Sequence, residues 1–203
     1  MSSKLFKTSV HEAGHGTMAI LVGYLSRYVT NLRDSTSLGR MYWAPGQRVP
    51  FKVVQGLATS EERARALVFA AGVAAERALI GNDAQLASID AEHANAYGRT
   101  TSVGEEAAVR TLLSDAEKLF ADEHVRNATL TIAHRLLRDR VVFGSDMEAI
   151  IEGVGLQRGE AVILRAALGH PSVDGVRRRV GNGLIGDSAF VDADSTRYFF
   201  PRR

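Results

Sequence analysis

The stretch TSEERARALVFAAGVAAERALIG, residues 59–81, constrains the fold more than any other. It reads as one long helix. Thr59 and Glu62 have capping-box spacing, and Gly81 stands where a helix commonly ends in the left-handed conformation. Its middle, LVFAAGVAAERAL, carries small residues nearly all round. A helix of this kind packs tightly against others, and alanine and glycine let those neighbours come close. A mainly α-helical domain packed around this segment is therefore expected.

Other segments supply the partners. Residues 8–24 have helical apolar spacing, with Thr8 or Ser9 as N-cap. Residues 26–55 carry prolines, glycines, β-branched residues and aromatics, and read as short strands at 28–32, 39–43 and 51–54. Further helices are expected over 89–97 after Ser88, over 105–120 and over 122–140, and Ser145 with Glu148 marks a last short one. From Gly153 the texture turns glycine-rich, with one short helix near 157–167. The expected organisation is a domain over 1–152 and an extension over 153–203.

Within the first helix, HEAGH places His11 and His15 four residues apart. On a helix they share one face, where two imidazoles can bind one Zn²⁺ at about 2.0–2.1 Å. Glu12 is turned about 100° from His11, placed to act as general base toward a water on the metal rather than as a ligand. Gly14 and Gly16 clear space for a close neighbour. The chain has no cysteine, so disulfides and thiolate zinc sites are excluded and any metal needs His, Asp or Glu. Two histidines at this spacing also occur on ordinary solvated faces, so the reading turns on a third ligand from elsewhere in the chain. Glu76, Asp83, Asp90 and His93 are the acidic and imidazole groups to weigh.

HEAGH, followed by AAGVAAERALIG at 70–81 and LASIDAEHA at 86–94, resembles the peptidase domain of FtsH, the ATP-dependent zinc metalloprotease family. YVTNLRDSTSLGRMYWAP is similar to that family's edge strand beside the active site, and residues 115–150 to its closing helices. The resemblance spans about residues 7–152. It implies a helical zinc-metallopeptidase fold with a small β element next to the active site. It also implies Asp90 as third zinc ligand, Glu12 as the catalytic base and Glu76 near the site, orienting a ligand histidine. His93 is expected to form hydrogen bonds around the ligands, and Asp83 to serve its turn. The edge strand would bind a polypeptide substrate through Leu38, Gly39, Arg40, Met41 and Tyr42 by strand addition, although an ordinary edge strand has the same composition.

The chain departs from that family in carrying no Walker A motif. The expected activity is an ATP-independent metalloendopeptidase acting on flexible or unfolded polypeptides, with a separate ATPase or adaptor as a partner to consider, and a homo-oligomer by extrapolation from the family's rings. A zinc-containing binding or adaptor protein with little turnover is the alternative, against which intact Glu12 argues. The N-terminus turns polar too soon for a secretory leader, and the longest apolar run, MAILVGYL, falls short of the roughly 20 residues a membrane helix needs. With a net charge of +2, a cytoplasmic protein without membrane or nucleic-acid partners is expected. The basic cluster VRRRV reads as a solvated face, and RYFFPRR at the C-terminus as a docking, subunit-joining or lid segment.

Overall fold

The computed structural model describes residues 4–32, 39–44, 48–81, 83–86 and 88–159. The described residues form six α-helices and one three-stranded sheet. The helices are α1 (Lys4–Leu21), α2 (Glu61–Ile80), α3 (Ser88–Arg99), α4 (Glu105–Ala121), α5 (Glu123–Asp139) and α6 (Gly144–Gly153). The strands are β1 (Leu25–Thr30), β2 (Arg40–Ala44) and β3 (Val141–Phe143), in the order β2-β1-β3 with both pairings antiparallel. The mainly helical architecture with a small β element is therefore present.

The small-residue helix is central. α2 packs against α1, α3 and α4. Its residues Ala66, Leu67, Val68 and Ala70 through Ala75 are all buried. α1 is equally enclosed: from Glu12 to Leu21 every residue is buried. Two such helices can be covered on this many sides only if their backbones approach closely. Gly14 provides the approach. A Cβ there would stand 2.6 Å from the Ala75 Cβ and 2.7 Å from the Ala71 carbonyl oxygen. Gly16 does the same toward Val29 of β1 and Met147 of α6, at 2.8 and 2.9 Å.

Several local expectations are corrected. α1 begins a turn before Thr8. The Thr8 and Ser9 hydroxyls donate back to the Lys4 and Leu5 carbonyls, so neither caps the helix. Gly23, at φ 91°, turns the chain out of α1, and Tyr24 leads into β1. The cap of α2 is Ser60, not Thr59: its hydroxyl accepts from the Arg63 N–H at 3.1 Å. Gly81 does close α2, at φ 63°, with its N–H on the Glu76 carbonyl. The strand expected at 51–54 is a 3₁₀ turn, Lys52–Val54. There the Phe51 ring is fully buried, with the Arg158 guanidinium 4.5 Å from its centroid. β3 was not anticipated. Three residues are too few to show a period, and Arg140, in the left-handed region at φ 69°, separates them from α5. Ser145 lies inside α6, which is preceded by Phe143 without a side-chain cap.

Residues 154–159 of the expected extension lie against the main fold. The Gly159 N–H donates to the Pro50 carbonyl, and the Lys52 N–H to the Gln157 carbonyl, both at 2.8 Å. The helix expected near 157–167, the VRRRV cluster and the RYFFPRR segment lie wholly or mostly outside the described residues. No described helix is long and apolar enough to cross a membrane.

If the α1–α2 contact sets the packing, Gly14→Ala must force the two backbones apart. The expected loss is about 1–3 kcal/mol, read as a lower urea midpoint at unchanged m-value. Gly153→Ala, whose added Cβ meets nothing within 4 Å, serves as the neutral comparison.

Candidate metal centre

α1 carries His11 and His15 one turn apart, on the side facing α2. Each ring is held at its Nδ1. His11 Nδ1 donates to Glu76 Oε1 at 2.8 Å, and His15 Nδ1 donates to the Val68 carbonyl at 2.6 Å. A carbonyl oxygen only accepts, so the His15 proton sits on Nδ1 and its Nε2 presents a lone pair. The Glu76 carboxylate imposes the same tautomer on His11. The two Nε2 atoms consequently face each other, 3.0 Å apart. Asp90, in the first turn of α3, brings Oδ2 to 3.5 Å from His11 Nε2 and 3.6 Å from His15 Nε2.

Three electron-rich atoms pointed at one spot repel unless something positive lies between them. In the metal-free chain a proton can serve. Burial pulls the His11 pKa down, but the Asp90 and Glu76 carboxylates outweigh it and lift the value to about 10. Asp90 is driven the other way. Desolvation opposes ionisation, yet the two histidines hold its carboxyl well below the usual range. A divalent cation would satisfy the same geometry more fully. Four ligands at zinc–nitrogen distance around a tetrahedron lie about 3.3 Å from one another. The observed donor separations of 3.0, 3.5 and 3.6 Å bracket that value. His11, His15 and Asp90 are therefore placed to hold one metal ion together.

Glu12 lies beside this cluster and is only 7 % exposed. Its carboxyl pKa is raised, chiefly by burial; His15, His11 and Arg40 pull it back and Asp90 adds to the rise. Gly39, preceding β2, lies over it. A Cβ on Gly39 would stand 2.7 Å from Glu12 Oε1 and 2.8 Å from the Thr30 carbonyl. The other residues expected to bind substrate divide by face. Met41 packs against the core. Tyr42 points outward, stacks on Tyr28 at 4.6 Å and accepts from Arg40 Nη1 at 3.0 Å. Leu38 lies outside the described residues. Of the remaining candidates, Glu76 contacts a cluster histidine. His93 instead stacks its ring on Phe69, with centroids 3.9 Å apart. His124 bonds the Val154 carbonyl and His134 packs on Phe6, both apart from the cluster.

One residue was missed from sequence. A Cβ on Gly72 would stand 2.5 Å from His15 Nε2 and 2.6 Å from His11 Nε2, so α2 can back the imidazoles only as glycine. The signal was available. A mid-helix glycine costs about 1 kcal/mol against alanine, so one glycine in a run of alanines marks a close approach. The Val68 carbonyl, a backbone group, leaves no such mark.

No protein-family model matches the chain, and comparison with curated proteins finds none that matches.

The charges of the metal-free cluster set a pH dependence. His11 is raised above its unfolded value of about 6.5, so its contribution to stability is complete below that pH and is lost as pH rises through about 10. Asp90 is lowered, so its contribution is present above about 3.8 and is lost as pH falls further. Urea unfolding with chelator present should show stability declining from neutral to alkaline pH. His11→Asn should flatten that decline; an unchanged decline would place its cause elsewhere.

Proposed function

We propose that this chain is a zinc-dependent metalloendopeptidase of the FtsH-like kind, acting without ATP of its own on flexible or unfolded polypeptides. The observation that carries this reading is the convergence of three metal-type donors beside a buried carboxylate that is not one of them. A purely structural zinc site closes its coordination sphere and needs no base nearby.

His11, His15 and Asp90 would hold the ion. Zn²⁺ bound there supplies Lewis acidity, both to a water and to the peptide carbonyl. The remaining work falls to the protein. Glu12 takes the proton from the attacking water and returns it to the departing amine. Burial suits it to this role: a carboxylate with a raised pKa is a stronger proton acceptor near neutral pH. Glu76 and the Val68 carbonyl accept from the two Nδ1 atoms, fix the imidazole rings and turn both Nε2 atoms toward the ion. Gly39 lets the start of β2 close directly over Glu12, and β2, at one edge of the described sheet, offers ladder hydrogen bonds to an extended chain.

The reading separates cleanly into binding and chemistry. Glu12→Gln should keep its zinc and lose casein cleavage by about 10²-fold or more. Asp90→Ala and Gly72→Ala should lose zinc, the first by removing a ligand and the second by displacing both rings. Metal analysis beside the cleavage assay checks both. Full zinc content in Asp90→Ala would overturn the ligand set, and a binding or adaptor protein would show no wild-type cleavage for Glu12→Gln to abolish.

A further inference from the structure

A row of four rings starts beside the cluster and runs to the sheet. His93 stacks on Phe69 at 3.9 Å, Phe69 meets Trp43 edge-on at 6.0 Å, and Trp43 stacks on Tyr24 at 4.6 Å. His93 comes from α3, Phe69 from α2, Trp43 from β2 and Tyr24 from the connection between α1 and β1. Phe69 lies one turn before Gly72 on α2, and His93 one turn after Asp90 on α3. On both helices the aromatic member therefore stands about 5 Å along the axis from the site. Trp43 and Gly39 share one face of the β2 strand line, about 13 Å apart.

Their exposure is the unusual feature. From Ala66 to Ala75, α2 is buried at every position except Phe69, its largest residue in that run. Trp43 and His93 are likewise half-buried. Three partly exposed rings in a row next to a polar cluster are required by neither the ligand set nor Glu12.

We propose that Trp43, Phe69 and His93 form an apolar subsite for a large aromatic side chain of the polypeptide substrate, within a few residues of the bond that is cut. This rests on the metallopeptidase reading. A peptide paired to β2 sends alternate side chains to the face shared by Gly39 and Trp43. Where its backbone passes Gly39 it comes near Glu12, and a side chain on the same face up to about four residues along meets the rings. An aromatic side chain gains offset or edge contacts there beyond simple burial, while an acidic one gains none and loses water.

Trp43 is the chain's one tryptophan, so its emission reports directly on this wall. The full chain carrying Glu12→Gln, with and without Zn²⁺, would be titrated with blocked Ala/Ser/Gly peptides. Each holds a single Phe, moved along the peptide, or Ala or Asp at the same place. At one position Phe should bind about tenfold more tightly than Ala and shift the Trp43 emission. Phe69→Ala should reduce that preference to about twofold with zinc content unchanged. Phe69→Leu, which keeps bulk without the flat ring, guards against a folding defect and should also weaken it. Equal binding of Phe and Ala peptides at every position, or full preference in both Phe69 variants, would overturn the subsite. Wild-type cleavage of the same peptides separates the two ideas. Cleavage indifferent to Phe removes the subsite and leaves the peptidase, whereas Phe-selective binding without any cleavage removes the peptidase and leaves the subsite.

Discussion

Everything in the described fold depends on how closely α1 and α2 approach. The contact is made by residues with almost no side chain: Gly14 against Ala71 and Ala75 on one side, Gly72 against the two imidazoles on the other. Small residues contribute little apolar area each. Their value lies in distance. With the backbones this near, a carbonyl of α2 can reach a ring on α1, and a carboxylate two turns further along can reach the other. Larger residues at these positions would leave an α-helical protein, but not one with two fixed histidines.

The cluster that results is an electrostatic problem with few solutions. Both Nδ1 atoms are committed as donors, so both Nε2 atoms and the Asp90 carboxylate present negative potential to one point. A proton on His11 relieves this, and the rise in its pKa records how strongly the surroundings demand a positive charge. A divalent ion relieves it without leaving two acceptors face to face. Burial of Glu12 next to the same point supplies a proton acceptor, and the half-open ring wall lies one helical turn away. The three donors, the buried Glu12 carboxylate and the ring wall thus lie within a short reach of one another; the first two are what the proposed peptidase chemistry uses.

How much of this could be read beforehand varied with the kind of signal. The long helices were legible because period and caps repeat over many residues. Their ends were less so. Ser60 and Thr59 are both good caps by residue type, and the extended backbone at Ser60 with its bond from the Arg63 N–H marks which one is used. Residues 51–54 carry β-forming side chains, yet they turn, because Phe51 is held in the core beneath Arg158, a residue more than a hundred positions away. β3 is three residues of edge pairing with no pattern of its own. Three residues after Asp90, His93 is placed by spacing alone as a hydrogen-bonding neighbour of the ligands. Its ring went to Phe69, a partner on another helix that spacing does not reveal.

By itself, the sequence determined the helical class, the shared face of His11 and His15, the placing of Glu12 one residue after the first histidine, and the absence of thiolate ligands. These follow from local geometry and composition, which need no partner. The tertiary structure decided which carboxylate meets the histidines, which backbone carbonyl sets the His15 tautomer, why position 72 must lack a side chain, and where the aromatic wall stands. Each of these is a contact between separate elements. Such a contact exists only when backbones come within a few ångströms, and that distance is set by the packing of the whole domain.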